Sequence, residues 1–261
     1  MLTAEEVAQF HRDGYLKGGK VLGDEEVALM QEEVMRVIGE RGDATKKQPV
    51  MCHNMGKPEA PVWQIVNIWE ASRPFAKLIR HSRITEEIAQ LTDAAAVRIW
   101  HDQIQFKPAA TGGVNMWHQD HPYWPILNPP VQVTAWVALD DVDAGNGCMS
   151  MVPGSHLWGN HIEFLQKLPS FDAMPGEHAG HKLEVRLAPV KRGEVHFHHG
   201  LTWHGSHANT SGRPRRAVAL HYMPGGTRFV ASGTHVMKKF VGVADGEELS
   251  GEHFPVVWQK K

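Results

Sequence analysis

From residue 97 onward the chain breaks into short runs of β-branched and aromatic residues: VRIWHDQIQFKP (97–108), VQVTAWVALDDV (131–142), KLEVRLAPV (182–190), EVHFHHG (194–200) and RRAVALHYMP (215–224). Stretches rich in Gly and Pro separate them. Such side chains suit a pleated, half-buried surface, and Gly and Pro interrupt it, so the texture predicts antiparallel sheet. Many short antiparallel strands in one chain close into barrels or pack as two-layered jelly rolls. No 18-residue apolar run breaks the pattern, so no membrane span is expected.

The first ninety residues read differently. Thr3 with Glu6 forms a capping box, which predicts a helix over Thr3–Arg12 that stops before Gly14. Asp24 is placed to cap a second helix, EEVALMQEEVMRVIGE, whose Val27, Met30, Val34 and Val37 share one stripe. A third helical stretch covers Arg73–Thr92. Residues 41–62 have no period and many turn formers, and 159–181 form a second irregular insertion; long loops of this kind commonly carry function. The resulting expectation is a mainly β fold with flanking helices, a double-stranded β-helix (jelly roll, cupin-like), in a single domain spanning 1–261.

The chemistry concentrates in WHQDHPYWP (117–125). His118 and Asp120 sit two apart inside aromatic surface, where ionisable groups are costly unless paired. On a strand they would project from one face. A converging His and carboxylate can act as an acid–base pair or as two metal ligands. Iron(II) in oxygenases is held by two His and one carboxylate on one face, with open positions opposite. That scheme needs a distant second His, and GEVHFHHGLTWHGSHANTSGRPRRAVALHY offers His196, His198, His199, His204, His207 and His221. Periodicity alone does not choose among them.

Other chemistries lack their residues. A cupin metal site on His196 and His198 expects a Glu shortly afterwards, but Gly200, Leu201, Thr202 and Trp203 follow. There is no G-x-S-x-G elbow and no H-E-x-x-H. A net charge of −2 leaves no footprint for nucleic acid or an anionic membrane. The start, MLTAEEVAQFHRDGY, has acids where a signal peptide would be basic, and Cys52 and Cys148 read as free thiols; both suit a cytoplasmic location.

Three ordered motifs carry a resemblance: WHQD, NGCMSMVPGSH (146–156) and HGSHANTSGRPRRA (204–217), with LTAEEVAQFHRDGYL at the start. Together they resemble the phytanoyl-CoA dioxygenase family of iron(II)/2-oxoglutarate oxygenases. The resemblance implies His118, Asp120 and His204 as iron ligands, and Arg215 as the partner of the distal carboxylate of 2-oxoglutarate. It implies Ser206 and Trp136 as further walls of that pocket, and places Gln64 and Gln103 where relatives have other co-substrate contacts. The implied reaction takes O2 and 2-oxoglutarate to succinate and CO2 while oxidising, most simply hydroxylating, a small organic substrate. Asp120 argues against halogenation, which in this fold uses a small residue at that place. A metal-binding or sensor protein without turnover would carry the same ligands, and succinate formation separates the two.

The remaining residues read as structural. His101, His121, His156, His196, His198, His199 and His207 are expected to be mostly packing or solvated groups, with hydrogen bonds that orient the metal ligands as the alternative. Arg213 and Arg216 are expected at the surface, and Trp63, Trp69 and Trp100 in the core. Substrate choice is assigned to the loops at 41–62 and 159–181. The aromatic wall from Trp117 to Trp124, with Trp203 nearby and few basic groups around it, favours a free metabolite over an acyl-CoA. Nothing in the sequence speaks to oligomeric state.

Overall fold

The computed structural model describes residues 1–260. Six helices, α1 (Ala4–Asp13), α2 (Asp24–Gly39), α3 (Ile68–Ala71), α4 (Arg73–Leu78), α5 (Ser82–Thr92) and α6 (Ile162–Gln166), accompany the sheets. The strands of the two main sheets are β1 (Tyr15–Lys20), β2 (Met51–Asn54), β3 (Trp63–Val66), β4 (Ala96–Lys107), β5 (Asn115–His118), β6 (Val133–Ala138), β7 (Met149–Met151), β8 (Arg186–Ala188), β9 (Glu194–His199), β10 (His204–Ser206), β11 (Arg215–Pro224) and β12 (Val256–Gln259). The large sheet runs β1-β9-β6-β11-β4-β3-β2, with β12 also on β4; the small one runs β8-β7-β10-β5. Every pairing is antiparallel. This is the expected jelly roll.

Strand alternation sorts the large sheet into two faces. Val133, Ala135 and Val137 of β6, Val195 and Phe197 of β9, and Val218, Leu220 and Tyr222 of β11 join Phe10, Val27, Val34, Phe75 and Ile88 of the helices in the main core. The intervening Thr134, Trp136, His198, Arg215, Ala219 and His221 point the other way, toward the small sheet. Along β4 the parity of the core residues switches between Ile99 and Ile104, where the β11 register shifts between His221 and Tyr222. A bulge of this kind re-aims side chains. Beyond it His101, Gln103, Gln105 and Lys107 face inward.

Four local expectations need correction. Helix α2 is capped at Gly23, whose N–H is accepted by Glu26 Oε2 at 2.8 Å, and Asp24 is its first helical residue. The third helical stretch divides: α4 closes with tight bonds from Arg80 and His81 back to Lys77 and Leu78, and His81 caps α5. The segment 41–62 contains β2, which hairpins onto β3. The segment 159–181 holds α6 and part of a two-residue hairpin, Glu177–His178 with His181–Lys182.

Candidate metal and co-substrate site

His118 ends β5 and His204 begins β10, and the two are directly opposed in the ladder. Their rings lie 4.2 Å apart, centre to centre. Each turns Nδ1 toward the carbonyl two residues back: His118 to Met116 at 2.8 Å, and His204 to Thr202 at 2.9 Å. A ring nitrogen facing a carbonyl carries the proton, so in the neutral, metal-binding form of each ring Nε2 is the lone pair. The two lone pairs point at one carboxylate oxygen: Asp120 Oδ1 is 3.6 Å from His118 Nε2 and 3.5 Å from His204 Nε2. With both rings neutral, three electron-rich atoms would face one another, which is unfavourable unless a cation is shared; without a metal ion, burial would lower His118, but the Asp120 carboxylate outweighs it and raises its pKa, the response of a site that calls for positive charge. The three atoms lie within 4.8 Å of one another, the geometry of a facial metal site.

Asp120 reaches this point differently from the strand expectation. The strand stops at His118, and Asp120 takes a helical conformation as it opens a short 3-10 turn over His121–Tyr123. Its second oxygen, Oδ2, lies 3.2 Å from His198 Nε2 and accepts from Thr134 Oγ at 3.3 Å. Burial alone would raise the Asp120 carboxyl, but His204, His118 and His198 outweigh it and hold the group well below the usual carboxylate range. Burial and the neighbouring His118 push His204 well below the ordinary imidazole value, which keeps it neutral and ready to bind metal.

A cavity of ≈ 50 Å³ runs from this cluster to Arg215, walled by Gln103, Gln105, Trp136, Met149 and Ser206 among others. Arg215 is 2% exposed. Its Nη1 donates to Gly147 O at 3.1 Å and approaches Ser206 Oγ at 3.5 Å, the guanidinium lies 5.5 Å from the Trp136 ring, and Nε has no partner. Burial lowers its pKa to about 10. A buried guanidinium with a free edge is prepared for a carboxylate.

Most of the expected residues therefore meet at one place. His118, Asp120, His204, Arg215, Ser206, Trp136 and Gln103 line the inner cavity. Gln64 lies one step out, donating to Gln103 Oε1 at 2.7 Å. Arg213 is exposed in a pair with Asp143, while Arg216 is half-buried in a two-pronged pair with Asp140 rather than at the surface. Trp203 packs in a satellite core with Trp117, Leu165 and Phe171 and is not part of the cavity wall.

Sequence reasoning missed two groups, Asn115 and Lys107, and ranked the supporting role of a third, His198, below a packing role. His198 contacts the Asp120 carboxylate, and the alternation Val195–His196–Phe197–His198 was the available signal for its inward direction. Asn115 lines the cavity, holding Gln105 Oε1 at 2.9 Å. Lys107 is fully buried and donates to Ser206 Oγ at 2.8 Å and to the carbonyls of Ser206 and His207. Burial first, then Arg215, lowers its pKa well below the usual lysine value.

A wider chamber of ≈ 710 Å³ opens over the metal cluster. Apolar walls come from Met51, Met55, Val66, Trp124, Leu165 and Val236, and polar groups from Gln64, His101, Gln103, His221 and His235. Among the described residues no Lys or Arg lines it.

Comparison with known proteins agrees with this geometry. The family model described as phytanoyl-CoA dioxygenase (PhyH) matches residues 10–217. An ectoine dioxygenase of Bordetella parapertussis is 25% identical over 244 residues, 85% of this chain and 75% of that protein. A phytanoyl-CoA dioxygenase domain-containing protein 1 homolog of Caenorhabditis briggsae is 28% identical over 166 residues, 57% of this chain and only 54% of that protein's length. Among solved structures, the non-heme alpha-ketoglutarate-dependent carbocyclase SnoK from nogalamycin biosynthesis superposes with a TM-score of 0.80 at 28% identity, covering 98% of this chain and 97% of its own. With a family match over most of its length, the chain belongs to the phytanoyl-CoA dioxygenase family of iron(II)- and 2-oxoglutarate-dependent oxygenases.

Proposed function

We propose that this protein hydroxylates an uncharged small organic molecule, free rather than carried on coenzyme A, with His118, Asp120 and His204 holding the iron and Arg215 holding 2-oxoglutarate. The observation that carries the reading is the pairing of two features across one small cavity. Two imidazole lone pairs and a carboxylate converge at one end, and a buried, partly unpartnered guanidinium waits at the other. A metal ion satisfies the first and a keto dicarboxylate links the two. When bound, iron and 2-oxoglutarate supply the oxidation of a substrate C–H bond by O2, with release of succinate and CO2.

The chain supplies orientation and dryness. The Met116 and Thr202 carbonyls fix the two ring orientations, and His198 and Thr134 hold Asp120 Oδ2, leaving Oδ1 for the metal. Lys107 aims the Ser206 hydroxyl beside Arg215. Trp136 packs under the guanidinium and excludes water from the charged contact. The outer chamber gives the substrate class: apolar walls, a few neutral polar groups and no cation to meet phosphates. The test is substrate-dependent succinate formation, screened with free metabolites and with acyl-CoAs. Absence of iron from the purified protein after reconstitution would defeat the site assignment. Micromolar binding that needs the phosphates of coenzyme A would defeat the substrate class.

A further inference from the structure

The outer chamber is graded from polar to apolar along its depth. It shares Gln103, Gln105, Asn115, His118, Asp120 and His221 with the inner cavity. Every one of these is polar, so the floor beside the candidate metal ligands is polar throughout. The outer end is built from different chemistry. Met55 follows β2, Val114 precedes β5, Met116 lies on β5, and Tyr123 closes the 3-10 turn. All four line the chamber, and all are 40–49% exposed, which places them at its mouth. Large apolar side chains scattered singly over a surface need no explanation, but a group from three separate stretches gathered at one opening marks a binding surface.

The other polar members of the wall do not disturb this gradient. The Gln64 amide donates to Gln103 Oε1 at 2.7 Å, and the Gln166 amide donates to the Tyr123 hydroxyl at 3.3 Å. That bond ties up the polar tip of Tyr123 and leaves its ring for contact. The ring stands edge-on to His118, 6.2 Å centre to centre, so the apolar mouth begins one ring away from a candidate ligand. Burial keeps His101 and His235 neutral. Asp120 is the one acid among the described residues of the chamber, and it belongs to the metal cluster.

We propose that Met55, Val114, Met116 and Tyr123 form a collar that selects the substrate by its apolar body, and that the substrate is an uncharged amphiphile whose polar end lies on the floor beside the metal. The inference rests on the outer chamber being the substrate site of the proposed oxygenase. It carries a consequence for where oxidation falls: the C–H bond presented to the metal is close to the substrate's polar group, and the far end of the apolar body is spared. Burial of apolar surface is non-directional, so the collar selects for apolar area and not for a particular shape.

The probes are straight-chain primary alcohols from 1-butanol to 1-octanol, which keep one neutral polar end and lengthen the apolar body by single methylenes. Each is titrated into protein loaded with manganese(II), which accepts the same nitrogen and oxygen donors, and with 2-oxoglutarate. Binding is read by ligand-observed NMR, where the paramagnetic ion broadens most the protons nearest to it. In the wild type each added methylene is expected to raise affinity about fourfold, and the protons beside the hydroxyl should broaden more than the terminal methyl. Met55→Gln with Met116→Gln keeps both side-chain lengths and removes the apolar ends of half the collar, which should reduce the gradient to about twofold per methylene. Metal content, 2-oxoglutarate affinity and melting temperature should stay at wild-type levels. Val114→Thr, close in shape, should lower the gradient by itself. No binding of any alcohol by the metal-loaded wild type, an affinity indifferent to chain length, a gradient that survives in both variants, or a terminal methyl broadened more than the hydroxyl end would overturn the inference. Failure of the proposed function would look different: no metal taken up by the wild type.

Discussion

Replacing Arg215 by Met separates the two jobs a buried guanidinium can do. In the ligand-free protein Arg215 makes one good hydrogen bond, to Gly147 O at 3.1 Å, and leaves Nε unpartnered. Its lowered pKa, about 10, reports a charge that the surrounding protein disfavours. Exchange for an apolar chain of similar length should therefore change folding stability by no more than about 1 kcal/mol, in either direction. Binding is another matter. A buried carboxylate losing its charged partner costs about 2–5 kcal/mol, or roughly 30- to 4,000-fold in affinity. The assay is calorimetric titration of 2-oxoglutarate into iron-loaded, anaerobic protein, with thermal melting of the ligand-free variant alongside. Arg213→Ala is the control: its pair with Asp143 is half exposed and should matter little. Retention of 2-oxoglutarate affinity within a few-fold in Arg215→Met, or loss of it in Arg213→Ala, would refute the reasoning.

Other expectations follow from the same geometry. His118→Ala and His204→Ala each delete one of three ligands and should cut iron affinity by at least about 100-fold, more than loss of an outer hydrogen bond does; wild-type iron content in His204→Ala would point to His198 instead. Lys107→Met should weaken 2-oxoglutarate about tenfold through loss of the Ser206 hydroxyl's orientation, with iron content unchanged, both measurable by titration and metal analysis. His199 and His235 are held neutral by burial, with pKa values near 3 and 4 against an ordinary 6.5. The unfolded chain takes up those protons first as pH falls, so stability is full above 6.5 and is lost toward pH 4, by up to roughly 3 kcal/mol for each histidine. Urea unfolding across that range should show it, and His199→Leu should flatten the slope whatever it does to the midpoint.

The strands were legible because one face of the large sheet is uniformly apolar and its runs are short. The candidate ligands His118, Asp120 and His204 were legible through three motifs lying in order along the chain, and the structure brings the three together. What escaped has a common cause. Asp120 was placed on a strand because a spacing of two suggests one, yet its side chain converges on His118 from a 3-10 turn. The inward direction of His101 depends on a bulge in β4, and no local pattern marks a bulge. Lys107 looks like any strand-end lysine until β10 and the loop after it close over it, contacts made across about a hundred residues. Trp203 was drawn to the site by its neighbour His204, although it lies just before the strand and packs into the satellite core with Trp117 and Phe171.

The two ends of this active centre come from different parts of the architecture. His118, His204 and Arg215 sit on paired strands and Asp120 opens the turn after β5, whereas the chamber above adds Tyr123 and Trp124 from that turn, Leu165 from α6, and His235 and Val236 from a segment after β11. That last segment lies beyond residue 217, where the family model stops. Part of the chamber wall is thus built outside the main sheets, while Met51, Gln64, Val66, His101, Gln103 and His221 tie the rest of it to the large sheet. Changes at His235 or Val236 should therefore alter which molecules fit the chamber while leaving the candidate ligands in place, whereas Met237, Leu249 and Phe254 of the same segment are core and must be kept.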